Sequence, residues 1–196
     1  MEMLQESLAE IQGQDIPSVD DTQIDLPITA FIPGDWIADN DEKMAAYRAA
    51  ADCGSPDSLV ELAAGWVDRY GAIPAPVVSL LQLMELKLLA KRCGFSRIKP
   101  EKPNIALDTP MEEPAFRLLR QGLPQHLHGR LVYQPGAGST AKVLARGLGV
   151  LPIEKQVEEL KEWLAQMAAQ IPGSDGLSDA QRAEQQSIRN EAVLSV

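Results

Sequence analysis

The sequence predicts an α+β fold, with a helical N-terminal half packed with short antiparallel strand pairs and a long C-terminal helix. Three observations predict it. Apolar residues recur at three- and four-residue steps over about 40–52, 56–70, 75–93 and 152–171, the spacing of helices with one buried face. Between residues 95 and 146 the period shortens to two in brief runs, separated by turns rich in Gly and Pro. The chain has 196 residues, 45% of them hydrophobic, enough for one ordinary core.

The elements follow in order. Met3, Leu4, Leu8 and Ile11 share one side of a short helix over 3–12, and 13–25 is polar and turn-rich. Residues 1–23 therefore read as an acidic linker and helix from a preceding domain. Residues 24–172 read as the folded domain, and 173–196, polar and rich in Gln and Ser, as a disordered tail. Over 24–37, Pro27 and Pro33 forbid a central strand. The expectation is an extended strap whose Ile, Phe and Trp side chains plug onto the helical body.

Asp39 or Asn40 caps the helix over 40–52, and Gly54 lies just past it. Ser55 caps the next helix with Pro56 at its first position and Asp57 at its positive end, and Gly71 stops it. Leu59, Leu62, Ala63, Trp66 and Val67 give its inward stripe. The third helix, 75–93, ends in Lys87, Lys91 and Arg92, which suit the negative helix end. Two strands near 95–99 and 104–108 join through Pro100–Pro103. Thr109-Pro110-Met111-Glu112 has the form of a capping box opening a helix to about Gln121. A second strand pair, 130–134 and 141–146, flanks the turn Pro135-Gly136-Ala137-Gly138.

Charge is unevenly placed. Residues 1–42 hold eleven of the 28 acidic residues and none of the 18 basic ones, so the remainder is nearly neutral. An acidic lead of this kind repels a phosphate backbone. No apolar run reaches the roughly 18 residues of a membrane span, and the N-terminus lacks a signal-peptide layout. A cytoplasmic protein is expected. Cys53 and Cys93 are too few for a disulfide framework and read as small buried hydrophobes.

Candidate chemistry is sparse. Gly136-Ala137-Gly138-Ser139-Thr140-Ala141-Lys142 lacks the spacing of a phosphate loop, and a strand follows it where a helix is needed. His126 and His128 have no third or fourth metal ligand nearby in sequence. Glu112/Glu113 and Glu158/Glu159 fall on water-facing helix positions, unlike a buried acid–base pair. The sequence gives no basis for an enzyme or a cofactor. A basic cluster of Lys87, Lys91, Arg92, Arg97, Lys99 and Lys102 is the alternative: a nucleic-acid-binding module, although only Phe95 is available for stacking. Asp68 and Arg69 end a helix beside Tyr70 and a helix break, which fits a surface ion pair, a cap or a contact point.

The run Val67-Asp68-Arg69-Tyr70-Gly71-Ala72-Ile73-Pro74-Ala75-Pro76, leading into Leu80-Leu81-Gln82-Leu83-Met84-Glu85-Leu86-Lys87-Leu88-Leu89-Ala90, resembles the C-terminal regulatory domain of the bacterial transcription-repair coupling factor. The strap Leu26 to Ile37 and the helix start Asp41 to Arg48 resemble the same family, so the likeness spans about 20–172. It implies a domain that lies C-terminal to an ATP-dependent DNA translocase displacing stalled RNA polymerase. The translocase and its ATP motifs are absent from this sequence, and Met1–Ile11 resembles the helix that leaves the motor. The resemblance further implies an autoinhibitory role, masking the N-terminal repair module's surface for the excision-repair damage-recognition ATPase. Little direct DNA binding is implied. The family's partner contact falls on Asp68 and Arg69, with Tyr70 adjoining. Gly65 stands where the family has a glutamate.

Overall fold

The computed structural model describes residues 16–171. In chain order the elements are β1 (Gln23–Ile24), α1 (Asn40–Asp52), α2 (Pro56–Tyr70), α3 (Ala75–Arg92), β2 (Arg97–Glu101), β3 (Asn104–Thr109), α4 (Glu113–Arg120), β4 (Leu131–Pro135), β5 (Ala141–Ala145) and α5 (Ile153–Ala168). Short 3-10 turns span Gln125–Arg130 and Leu148–Val150. The strands form one mixed sheet in the order β1-β2-β3-β5-β4, with β1 parallel to β2 and the other pairs antiparallel. This is an α+β fold.

Local chemistry sets the helix ends. Asp39 accepts the Glu42 backbone N–H at 2.9 Å to open α1. Ser55 and Ser58 exchange side-chain and backbone hydrogen bonds to open α2, with Pro56 at the first helical position. Gly71 ends α2 at φ 85, a left-handed conformation that a residue with a Cβ rarely adopts.

α3 is the central wall. Leu86, Leu89, Ala90 and Cys93 face a large core made with the sheet, α4 and α5, where Phe95, Ile98, Ile105, Phe116 and Trp163 are buried. Val77 and Leu80 face a smaller core with Ile32, Ile37, Ala46, Ala50 and Trp66. A helix buried on two sides must be apolar nearly all round, as this one is. The sheet's other face is polar: Lys99 pairs with Asp108 at 3.4 Å and Lys142 with Glu101 at 2.9 Å. Pro100 is accommodated in β2 because it lies past the two-residue reach of β1.

Several sequence expectations need correction. The strap buries Ile32 and Ile37, but Phe31 is 44% exposed, because neighbouring residues of extended chain point to opposite sides. Thr109 does not cap a helix. Its Oγ1 donates to the Gly94 carbonyl at 2.6 Å and accepts from Met111 N, closing β3, and α4 starts only at Glu113 with Pro114 in its first turn. Val67 faces outward, and His126 to His128 lie in a 3-10 turn.

The polar stretch before residue 24 is attached to the body over its described part. Val19 is buried, and the wholly buried Thr22 donates its hydroxyl to the Phe95 carbonyl at 2.7 Å. The helix expected over 3–12 and the tail over 173–196 lie outside the described residues.

Candidate functional site

The last turn of α2 is held from beneath by aromatic packing. Trp36 from the strap meets Trp66 edge-on at 5.9 Å and Tyr70 at 5.4 Å, so the ends of the strap and of α2 are locked together. The Trp36 indole N–H is buried and has no partner among the described residues.

On this platform Arg69 is oriented, not loose. Its Nη2 donates to Glu42 Oε1 at 2.7 Å, and its guanidinium lies over the Tyr70 ring at 5.2 Å. The Tyr70 hydroxyl reaches Glu42 Oε2 at 3.5 Å, the outer limit of a hydrogen bond. Both ends of the Arg69–Glu42 pair are well exposed, so it stabilises the fold by at most about 1 kcal/mol. Asp68 is exposed and makes no ion pair among the described residues. Gly65 is exposed one turn earlier, and a Cβ built there meets nothing within 4 Å.

A groove of about 670 Å³ runs between α1 and α2. Ala45, Ala46, Ala49 and Gly65 line it, with acidic Asp41, Glu42 and Glu61 at its rim. On the side of α2 turned away from this groove, Val60 and Val67 are 68% and 45% exposed, seven residues apart and so on one face. The structure thus brings Gly65, Arg69 and Tyr70 to one groove with Asp68 on the adjoining surface. Sequence reasoning missed Glu42, which is remote in sequence, and the outward Val60–Val67 face, which it assigned partly to the core.

The other candidates resolve differently. Lys87 pairs with Asp21 at 3.1 Å and Arg97 with Asp25, while Lys99 is engaged with Asp108. The hydrogen bond from Lys87 holds the Asp21 carboxyl below the usual carboxylate range, and that from Arg97 does the same for Asp25. The lead thus supplies the counter-charge for Lys87 and Arg97. Arg92 lines a cleft of about 750 Å³ with Lys87, Lys91, Cys53, Ile16 and Ile171. A His128 ring nitrogen lies 2.8 Å from the Leu123 carbonyl, to which it donates. Among the described residues no three His, Cys, Asp or Glu are grouped to hold a metal, and no helix is long and apolar enough to cross a membrane. The glycine-rich run 136–140 is an exposed turn between β4 and β5, where a Cβ at Gly136 meets the Thr140 carbonyl oxygen at a prohibitive distance.

The fold is that of a known class of α+β domain. A solved structure described as the C-terminal domain of transcription-repair coupling factor superposes with a TM-score of 0.63 at 17% identity, covering 81% of this chain and 98% of that one. The TRCF domain family model matches residues 26–115. Residues 26–115 are similar to that family. Curated relatives named transcription-repair-coupling factor include that of Myxococcus xanthus, 34% identical over 87 residues, and that of Escherichia coli, 24% identical over 135 residues. These matches take in 44% and 64% of this chain but only 7% and 12% of the relatives, so the chain spans a small fraction of their length.

Proposed function

We propose that this domain is an autoinhibitory, protein-interaction module of transcription-coupled DNA repair. It docks through the end of α2 on an N-terminal repair module of the same full-length protein and so masks the surface that recruits the damage-recognition ATPase. The parent would be an ATP-dependent DNA translocase acting on stalled RNA polymerase, and this domain would contribute reversible masking without bond chemistry. The observation that carries the reading is the composition of the α2 surface. Asp68 and Arg69 are charged and exposed, and Arg69 is pre-aligned by Glu42 and Tyr70. A rigid aromatic platform under exposed charge suits a docking point better than a fold-stabilising pair.

The test is a binding assay with the N-terminal repair module, run with the wild type and with Asp68→Ala/Arg69→Ala. The expected loss of affinity is at least about tenfold, or roughly 1.4 kcal/mol. Thermal unfolding should change by no more than about 1 kcal/mol, the ceiling for exposed pairs. Equal binding by the two proteins would remove the site. A large loss of stability would instead make the pair a structural cap.

A further inference from the structure

The second half of the domain carries a charge pattern that the α2 surface does not use. From Pro114 to Ile153 there is no Asp or Glu, yet this stretch holds Arg117, Arg120, Arg130, Lys142, Arg146 and both histidines. The chain as a whole has a formal net charge of −10. Forty residues without an anion in so acidic a protein are a marked segregation of charge.

The fold gathers most of these cations. Arg120, at the end of α4, donates from Nη1 to the His128 carbonyl at 3.5 Å. Arg130, two residues beyond His128, donates from Nε and Nη2 to the Arg146 carbonyl at 3.3 and 3.0 Å, and the Arg146 N–H returns a bond to the Arg130 carbonyl at 2.7 Å. The Arg120 guanidinium lies over Phe116 at 5.7 Å, and that of Arg130 over Trp163 at 5.0 Å. Arg117 sits one turn before Arg120, in an exposed pair with Glu113.

The partners of Arg120 and Arg130 are carbonyls and ring faces. Among the described residues, none of Arg120, Arg130 and Arg146 is ion-paired with a carboxylate. Neutral partners orient a guanidinium without cancelling its charge, and they leave N–H edges for a fork-like grip on an anion. Lys87, Arg97 and Lys99, by contrast, each face an aspartate.

We propose that Arg117, Arg120, Arg130 and Arg146, with His126 and His128 between them, form a surface that binds the phosphate backbone of nucleic acid without reading its sequence. Phe116 and Trp163 are buried beneath the arginines, so neither of these rings is offered to a base. Val150 is the one large exposed apolar side chain between Pro114 and Ile171 among the described residues. A protein partner needs a desolvated apolar anchor at the centre of its contact, whereas backbone binding draws on charge alone. That contrast favours nucleic acid over an acidic protein.

Fluorescence anisotropy of the full chain with a labelled mixed-sequence DNA duplex of roughly 30 base pairs, three helical turns, tests this. Three to four phosphate contacts give a log–log salt slope of about −2.7 to −3.6, so affinity should fall roughly 40- to 150-fold between about 50 and 200 mM salt. Binding is thus weak near physiological ionic strength. Arg117→Gln/Arg146→Gln should lower affinity at about 50 mM salt by at least roughly tenfold and flatten the slope by about two, with thermal unfolding unchanged. Arg146→Lys, which keeps the charge, should retain binding. Lys87→Gln/Lys91→Gln and Asp68→Ala/Arg69→Ala should leave binding within about twofold of wild type, which separates this surface from the first cluster and from α2. The proposal fails if the duplex does not bind at about 50 mM salt, if the double glutamine variant binds as wild type does, or if a poly-glutamate peptide of equal charge binds as tightly as the duplex.

Discussion

Gly65 sits inside α2 with open space where its side chain would be, so it is not required sterically. An interior helical glycine costs about 0.5–1 kcal/mol relative to alanine. Gly65→Ala should raise stability by about that amount in chemical denaturation, and no gain would mean that the backbone at 65 needs glycine. Thr22 is the reverse case: a polar side chain wholly buried for the sake of one hydrogen bond. Thr22→Val removes the donor and leaves the Phe95 carbonyl without it, which should cost about 1–3 kcal/mol in the same measurement. At this scale the sequence was partly readable. Ser55, Pro56 and Gly71 announce the ends of α2 because capping is local chemistry. Thr109 misleads because a threonine before a proline fits both a helix cap and the strand-ending hydrogen bond to Gly94 that it makes. Glu42 could not be paired with Arg69 by spacing, since only the packing of α1 against α2 joins them.

The helices were legible as elements because three- and four-residue periodicity survives in a single sequence, and α1, α2 and α3 fall where it places them. The lead was not. A polar, turn-rich stretch looks like linker, and its attachment rests on Thr22, a two-residue strand and ion pairs with residues some seventy positions away. Those pairs make the attachment sensitive to acid. Asp21 and Asp25 have lowered pKa values through their bonds to Lys87 and Arg97, so their contribution is full above the ordinary carboxylate range and is lost as pH falls through the depressed values, below about 4. Asp21→Asn/Asp25→Asn should therefore lower the melting temperature slightly at pH 7 and narrow its gap to wild type towards pH 3. A gap that stays constant from pH 7 to pH 3 would show that the pairs do not hold the lead.

For the molecule as a whole, two cores share α3, and they are unequal. The large one joins the sheet to α4 and α5, while the small one holds the strap, α1 and α2. Regions with less buried apolar packing open at lower free energy. Amide hydrogen exchange should show α1 and α2 exchanging faster than β3, β5 and α5, and uniform protection would mean that the two cores open together. Trp163→Ala, deep in the large core, should cost about 3–5 kcal/mol and abolish cooperative melting before Trp66→Ala does. This division was invisible in the sequence, where α3 reads as one stripe instead of a partition wall. The cleft that contains Ile16 and Ile171 lies against Ala50–Cys53, the far end of α1, whereas the groove under Arg69 lies against its beginning, Asp41–Ala49. The two ends of the described stretch thus meet at one cleft, at the end of α1 opposite to Glu42, the partner of Arg69. Ends that meet in one cleft leave the beginning of α1, and Arg69 beside it, clear of both ends of the described stretch.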